Sequence, residues 1–291
     1  MKELKGDFQV YEKGDTKVTQ ECFSSIHHML ACLDSRDNNS AMHDQHSSTE
    51  RGDSDWAGTS SYEEAVELLT CGYTDILDKL SLGINKAMKS LNDFDLNKSY
   101  IVEDVQGACP IIPNYLQGLP KTMSYRQQIA KKVKTINIIY APTANCSTGA
   151  NEFIEAGIGL LSAIRAIEKS NISIKLDCMF KNSYEGKEAV IGSVRVKNYR
   201  DRLDLQKLCF PIAHPSMLRR IGFKFLETVP GLTNRGFAHG YGRSPNIDEL
   251  TKYIKLPENT VLLNFSLVHD ELECDPKKII EYINKKISKN E

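Results

Sequence analysis

Basic side chains between residues 219 and 243 are the first candidates for chemistry in this chain. They are spread over the segments HPSMLRRIGFKFLET and NRGFAHGYGRS and comprise Arg219, Arg220, Lys224, Arg235, His239 and Arg243. Guanidinium and ammonium groups bind phosphate, and a glycine-rich loop can follow a nucleic-acid backbone. The apolar stripe of the first segment predicts a helix that leaves Arg220 and Lys224 on its uncovered side. The pattern favours contact with phosphate, a nucleic acid or another protein.

Oxygen-bearing side chains at two places are candidates for a cation site. They are Asn145, Ser147, Asp270 and Asp275. Residues 141–149 follow a predicted strand and precede a predicted helix, where open α/β sheets bind ligands. These residues contain one glycine and no lysine, so they lack both the dinucleotide and the phosphate-loop patterns. Asp275 precedes Pro276 and is expected to cap a helix. The sequence therefore predicts no cofactor.

The only tryptophan, Trp56, closes a polar stretch at residues 34–55 that has almost no apolar content. Such a stretch cannot build a core, and we interpret it as a polar linker. Trp56 precedes the segment AGTSSYEEAVELL, in which Ser61 and Glu64 have the spacing of a capping box. A lone Trp before a helix is typical of a packing anchor. Trp56 is also a candidate for contact with a partner.

Composition places the chain among ordinary globular proteins. Of its 291 residues, 41% are apolar and 26% are charged. The formal net charge of −1 provides no general attraction to nucleic acid or to acidic membranes. The eight cysteines are scattered singly, which indicates reduced thiols rather than a metal site. Because no stretch has the apolar length of a membrane span, we expect a cytoplasmic protein with no membrane partner.

A strand-helix-strand pattern at residues 134–180 is the clearest structural signal. Its first strand is β-branched and apolar, as in a buried parallel strand, and Gly157 on the apolar stripe of its helix permits close packing. The predicted elements here and downstream are strands at 135–140, 172–180, 190–196 and 260–268 and helices at 151–169 and 276–287. The connection between the second and third strands is too short for a helical crossover, so a hairpin is expected.

These patterns predict an α/β fold in which a mixed sheet is flanked by helices. Two helices, from residue 61 to 72 and from 74 to 91, are expected to form an N-terminal helical hairpin after the polar linker. The predicted regions are an N-terminal arm and polar linker at 1–55, a helical hairpin at 56–99 and an α/β core domain at 100–291.

Residues 100–123 begin like a strand and continue as a segment punctuated by glycine and proline. Such a segment cannot be helical throughout. Its apolar side chains indicate that it lies against a surface. We expect that surface to belong to the same domain, and recognition of a partner is the alternative.

Four segments occur in order between residues 56 and 227: WAGTSSYEEAVELL, GACPIIPNYLQGLPKTM, EAGIGLLSAIRAIE and HPSMLRRIGFKFLE. Their order resembles a family of uncharacterised bacteriophage proteins with a Trp-x-Gly-x-x-Ser-aromatic-Glu-Glu-Ala motif and an α/β region. The resemblance implies a phage origin and a location in the host cytoplasm. It admits structural, nucleic-acid-handling and host-defence-blocking roles, and it carries over no functional residue.

The order of strand, Ser/Thr-rich loop and helix also resembles the von Willebrand factor A domain, whose metal site has an Asp-x-Ser-x-Ser loop. In this chain Asn145, Ser147 and Gly149 stand in place of that triplet. The missing Asp removes the charged ligand that a hard cation favours.

Because scaffold patterns are abundant and no reactive constellation is evident, we predict a non-enzymatic interaction protein. We expect it to be oligomeric and to bind a protein target, in a structural or accessory role or as a block of a host-defence complex. One alternative is a nucleic-acid-binding accessory protein that uses the basic residues. The other is a divergent metal- or phosphate-dependent α/β enzyme that uses residues 141–149 and the acidic residues 270–275.

Overall fold

The computed structural model describes residues 6–37, 54–91, 99–128, 135–144, 147–170, 172–184, 187–230, 247–254, 256–257 and 259–288. The fold is of the mixed α/β class. The strands are β1 (Asp7–Lys13), β2 (Thr16–Phe23), β3 (Ser99–Asp104), β4 (Cys109–Pro110), β5 (Met123–Gln128), β6 (Thr135–Ala141), β7 (Ser173–Tyr184), β8 (Glu188–Lys197) and β9 (Thr260–Asn264). The α-helices are α1 (Ile26–Asp34), α2 (Ser54–Ala57), α3 (Tyr62–Cys71), α4 (Leu77–Leu91), α5 (Ile112–Leu116), α6 (Ala150–Lys169), α7 (Leu205–Ala213), α8 (Phe223–Thr228), α9 (Ile247–Tyr253) and α10 (Pro276–Ser288).

The central sheet has six strands in the order β1-β2-β8-β7-β6-β9. Strand β6 runs parallel to both β7 and β9, and β7 pairs antiparallel with β8. Ile136, Ile138 and Tyr140 of β6 are all buried, as expected for a strand with neighbours on both sides and helices packed on its face. The predicted strand-helix-strand unit, the β7–β8 hairpin and the mixed sheet are confirmed.

Helix α6 packs against α4, α7 and α10, and its side chains Phe153, Leu160 and Ile164 are fully buried. A Cβ atom at Gly157 would lie 2.3 Å from the Cβ of Ala213 in α7, closer than two carbon atoms can approach. Gly157 is therefore the residue that allows α6 and α7 to come together, as the stripe predicts.

The N-terminal segment contributes to the central sheet. Strands β1 and β2 form a hairpin, and β2 pairs parallel with β8. Helix α1 begins after Ser25, whose side chain accepts a hydrogen bond from the backbone N–H of His28. Glu21 of β2 and Arg36 form a buried two-pronged ion pair with N–O distances of 2.5 and 2.9 Å. Side chains of β2 and α1, such as Phe23 and Leu33, are thus buried in the core of the α/β region, whereas residues 38–53 of the predicted linker lie outside the described residues.

Helices α3 and α4 form where they are predicted, but their pairing as a hairpin is not confirmed. Ser61 caps α3 by accepting a hydrogen bond from the backbone N–H of Glu64, and Gly72 ends the helix with a φ of 106°. Helix α3 packs mainly against α7 and the π-helical segment Met217–Gly222 that precedes α8, while α4 packs mainly against α6. The two helices therefore serve different parts of the core.

The last strand is shorter than predicted. Strand β9 ends at Asn264, whose Oδ1 accepts a hydrogen bond of 2.8 Å from the backbone N–H of Leu267. The chain then turns through a wide π-helical segment, Leu267–Glu271, so the prediction of strand up to residue 268 is wrong. Helix α10 is confirmed: it begins at Pro276, and the Asp275 side chain accepts a hydrogen bond from the backbone N–H of Lys277.

A second, small sheet is formed by β3, β5 and β4 in that order, all antiparallel, with α5 between β4 and β5. We call residues 99–128, which comprise β3, β4, α5, β5 and the turns between them, the small sheet. The prediction that this part of the chain is extended over its own domain is wrong, because Ile112, Tyr115 and Leu116 are 57%, 70% and 78% exposed.

A search of the described helices for one long and apolar enough to cross a membrane finds none.

Candidate functional site

In the small sheet, none of the described side chains of residues 101–125 is buried, so these residues form no apolar core among themselves. Its large apolar side chains that face solvent are Ile101, Val105, Ile112, Tyr115, Leu116 and Leu119. Because apolar side chains gain stability by leaving water, a surface of this kind is typical of a contact face.

Polar and backbone hydrogen bonds hold the small sheet in shape. The backbone N–H of Ile111 donates to the carbonyl of Thr122 at 2.8 Å, and the Asn114 side chain donates to the carbonyl of Lys121 at 2.8 Å. Asn114 also contacts Glu103 at 3.4 Å. Since Ile101 and Glu103 lie on the same face of β3 by alternation, this contact places α5 beside the face that carries Ile101.

A second candidate lies at the carboxyl end of β6, where Trp56 meets the start of α6. The indole Nε1–H of Trp56 donates to the carbonyl of Thr148 at 2.7 Å, and the ring stands edge-on to Phe153 with centroids 6.4 Å apart. Trp56 thus anchors the segment before α3 onto the loop that follows β6, as its position before a helix predicts.

Hydrogen bonds attach the segment after Trp56 to residues 214–220. Ser216 Oγ donates to the carbonyl of Ala57 at 2.7 Å and lies 2.6 Å from Thr59 Oγ1. Arg220, whose side chain is fully buried, donates to the carbonyl of Thr59 at 3.1 Å. These bonds form a clasp between two distant chain segments, because Ser216 and Arg220 each find a hydrogen-bond partner in the segment that follows Trp56.

His214 lies inside this clasp and is only 3% exposed. Its Nδ1 accepts a hydrogen bond of 3.1 Å from the backbone N–H of Ser216. The ring stacks on Phe210 and meets Tyr73 edge-on, with both centroid distances 4.7 Å. Burial lowers the pKa of His214 to about 4, and the Glu64 carboxylate opposes this shift. The ring is therefore neutral near pH 7, and Nε2 carries the proton because Nδ1 is an acceptor.

Beside His214 lies a cavity of about 370 Å³. We call it the His214 cleft, and its charged, aromatic and amide side chains are Asp55, Trp56, Glu64, Tyr73, Asp75, Asn151 and His214. The first residues of α6 complete its wall. Ser60 donates to Glu64 Oε2 from both its backbone N–H and its hydroxyl, each at 2.6 Å. These bonds hold the pKa of Glu64 below its usual range, so the carboxylate is ionised.

The predicted basic candidates are only partly available for contact. Arg220 is fully buried and Arg219 is 8% exposed, with its guanidinium 4.8 Å from the ring centre of Phe223. The prediction that Arg220 lies on an uncovered side is wrong, because the clasp with Thr59 encloses it. Lys224 is half-buried. The other basic candidates, Arg235, His239 and Arg243, lie outside the described residues.

The predicted metal candidates have separate contacts. Ser147 is exposed, and Asn145 lies outside the described residues. Asp270 lies 2.7 Å from Nδ1 of His269, and Asp275 forms a 3.5 Å ion pair with Lys86. Within the described part of the chain, no group of three or more His, Cys, Asp or Glu side chains has a geometry that could hold a metal ion.

The His214 cleft was not predicted from the sequence. Its acidic members Asp55, Glu64 and Asp75 are spread over 21 positions, and the capping-box spacing of Glu64 indicates a helix start rather than a ligand site. The single local signal is His214 before Pro215 at a helix start, where a ring nitrogen can accept from the backbone N–H two residues later. That signal does not indicate which other segments face the ring.

Comparisons with known proteins give one match. No curated protein and no solved structure matches the chain. The model of the family described as "Domain of unknown function (DUF7192)" matches residues 7–287, a range that contains both sheets and the His214 cleft. The chain belongs to this family.

Proposed function

We propose that the protein is a non-enzymatic interaction protein that binds a protein partner through the small sheet. The observation that carries the proposal is that six large apolar side chains of this sheet face solvent, while none of its described residues 101–125 is buried. An apolar surface in contact with water costs free energy, and binding a partner removes that contact.

A three-stranded sheet normally needs a buried apolar face to be stable. Hydrogen bonds in the ladder contribute little net free energy by themselves, because water competes for the same groups. A partner that covers Tyr115, Leu116 and Ile101 would supply the missing burial. Tyrosine is also one of the residue types that most often dominate the binding energy of a contact face.

The chemistry of this surface favours protein over nucleic acid. Its apolar side chains offer no counter-charge to phosphate, and Glu103 on the same face repels it. Two arginines of the alternative nucleic-acid site, Arg219 and Arg220, are buried. The partner we propose is a protein that presents apolar side chains, and a second copy of this chain is one such partner.

The test compares two exposed leucines. Leu116 in the small sheet is 78% exposed and Leu82 in α4 is 72% exposed, so Leu116→Ser and Leu82→Ser make equal chemical changes at positions of equal exposure. We expect only Leu116→Ser to weaken capture of a partner from cells that contain its natural target, by about tenfold. Light scattering during size-exclusion chromatography shows whether that partner is a second copy. Equal capture by both variants would contradict the proposal.

The order of the four sequence segments supports a more specific proposal. It points to a phage-encoded protein that acts in the host cytoplasm, in a structural or accessory role or as a block of a host-defence complex. Affinity capture from phage-infected cells, compared with uninfected cells, tests this. A partner encoded by the phage would support the structural role, and a host protein would support the blocking role.

A further inference from the structure

The His214 cleft has features of a built ligand site that the small sheet lacks. It is lined by residues of α3, by the first residues of the 20-residue helix α6, and by His214, whose side chain is almost completely buried. We propose that the cleft binds a small organic cation, an amine or guanidinium, that also carries a carbonyl or hydroxyl acceptor.

His214 supplies a fixed hydrogen-bond donor to the ligand. Because Nδ1 accepts from the backbone N–H of Ser216, the neutral ring must carry its proton on Nε2. No described residue accepts a hydrogen bond from Nε2, although the side chain is 97% buried and lines the cavity. Nε2 is not one of the described polar atoms that are fully enclosed without a partner, so it remains accessible to solvent, and a ligand in the cavity can take the place of water as its acceptor.

The same hydrogen bond excludes two other roles for His214. A metal ligand or a general base needs a free lone pair on Nε2, and this would move the proton to Nδ1. Nδ1–H would then face the backbone N–H of Ser216, so two donors would oppose each other. The acceptor on the ligand is therefore a carbonyl or hydroxyl oxygen.

The carboxylates of the cleft supply the negative charge. Asp55, Glu64 and Asp75 line the cavity, and no Lys or Arg is among its described lining residues. Both hydrogen bonds from Ser60 end on Oε2 of Glu64, which leaves Oε1 to accept from a ligand. A cavity lined by three carboxylates and a neutral His attracts a cation and repels an anion.

The size and the aromatic walls of the cleft limit the ligand. A volume of about 370 Å³ is at the lower end of the range for small-molecule sites. Trp56 and Tyr73 line the cavity, and aromatic rings stabilise neighbouring ammonium or guanidinium groups. A single amino-acid unit with a basic side chain meets these requirements, whether it is a free molecule or part of a peptide.

Fluorescence of the only tryptophan, Trp56, reports occupancy directly. The probes are N-acetyl-argininamide, the matched neutral N-acetyl-citrullinamide, and agmatine, which has the guanidinium but no carbonyl. We expect a saturable change with N-acetyl-argininamide and at least about tenfold weaker binding of the citrulline analogue. A five-residue peptide with a central arginine is compared with N-acetyl-argininamide. Tighter binding of the five-residue peptide indicates a peptide ligand, and tighter binding of N-acetyl-argininamide indicates a free small molecule.

Two glutamates in the first turn of α3 make a matched pair of variants. Glu64 lines the cleft, whereas Glu63 is exposed and does not. Both contribute one negative charge near the same helix start. We expect Glu64→Gln to weaken binding of N-acetyl-argininamide by about tenfold and Glu63→Gln to change it less than about twofold.

His214→Asn tests the donor. The Asn side-chain oxygen can still accept from the backbone N–H of Ser216, but the group at Nε2 is removed. We expect weaker binding of N-acetyl-argininamide and unchanged binding of agmatine. If this variant fails to fold, the comparison of Glu64→Gln with Glu63→Gln tests the proposal. The proposal is overturned if no cationic probe gives a saturable change up to about 10 mM, if the citrulline analogue binds equally, or if Glu63→Gln and Glu64→Gln have equal effects.

Discussion

The two sheets of this protein contain similar apolar side chains in opposite environments. In the central sheet Ile138, Tyr140 and Leu176 are at most 1% exposed, whereas in the small sheet Ile101 and Leu116 are 69% and 78% exposed. The two sheets differ in what packs against them. Helices α6, α7 and α10 pack over the central sheet, whereas no described residue of the chain buries the small sheet. Apolar content in a strand therefore does not by itself distinguish core from contact surface.

The largest effect is expected when the buried ion pair between Glu21 and Arg36 in the central core is weakened. Glu21→Gln leaves Arg36 buried with a weakened partner, so we expect the free energy of unfolding to fall by about 3 to 5 kcal/mol. Urea titration followed by circular dichroism measures it. The control is Glu103→Gln in the small sheet, where the carboxylate is exposed and the expected change is within about 0.5 kcal/mol. Equal effects would show that the two sheets do not differ as described.

Leucine truncation measures the same contrast for apolar groups. Leu160→Ala in α6 removes a fully buried side chain and is expected to cost about 2 to 5 kcal/mol, because it loses burial and leaves a cavity. Leu116→Ala makes the same chemical change in the small sheet and should cost less than about 0.5 kcal/mol. Denaturant unfolding of both variants checks this. A large loss for Leu116→Ala would mean that the small sheet is covered within the same chain.

Acid should destabilise the core through His214. Its pKa is about 4 in the folded protein and near 6.5 when exposed, so between these values the unfolded chain binds the extra proton. Stability is therefore expected to fall by about 2 kcal/mol from pH 6.5 to pH 5. Unfolding midpoints of the native chain and His214→Asn across this range measure the contribution, with Glu64 as the charge that opposes the lowered pKa of the ring. An unchanged slope in the variant would contradict it.

The smallest effect concerns helix starts. The Ser61 side chain caps α3, whereas α5 in the small sheet has no side-chain cap. Ser61→Ala should cost about 1 kcal/mol, because a backbone N–H loses its acceptor. Ser81→Ala in the middle of α4, where the hydroxyl only donates to the carbonyl of Leu77, should be near neutral. Thermal melts measure the shift in unfolding midpoint of each variant, and equal shifts would contradict a specific role of the Ser61 cap.

Much of the central fold was predictable because its signals are local. The β-branched run of β6, the stripe of α6 and the Asp275–Pro276 start of α10 each lie within one element. The end of β9 was not predictable in this way, because residues 265–268 are apolar enough for a strand. The hydrogen bond from the N–H of Leu267 to Asn264 ends the strand there, and it depends on the side-chain conformation of a single residue.

The sequence by itself determined the α/β class, the central strand-helix-strand unit and the absence of a phosphate-loop motif, since hydrophobic period and motif spacing are properties of neighbouring residues. Only the tertiary structure decided which surfaces are covered. It buried Arg220 by closing Thr59 over it, left Leu116 in solvent, and brought Glu64 and His214 to one cavity from positions 150 residues apart. Burial and electrostatic environment are set by these long-range contacts, and no local pattern in the chain encodes them.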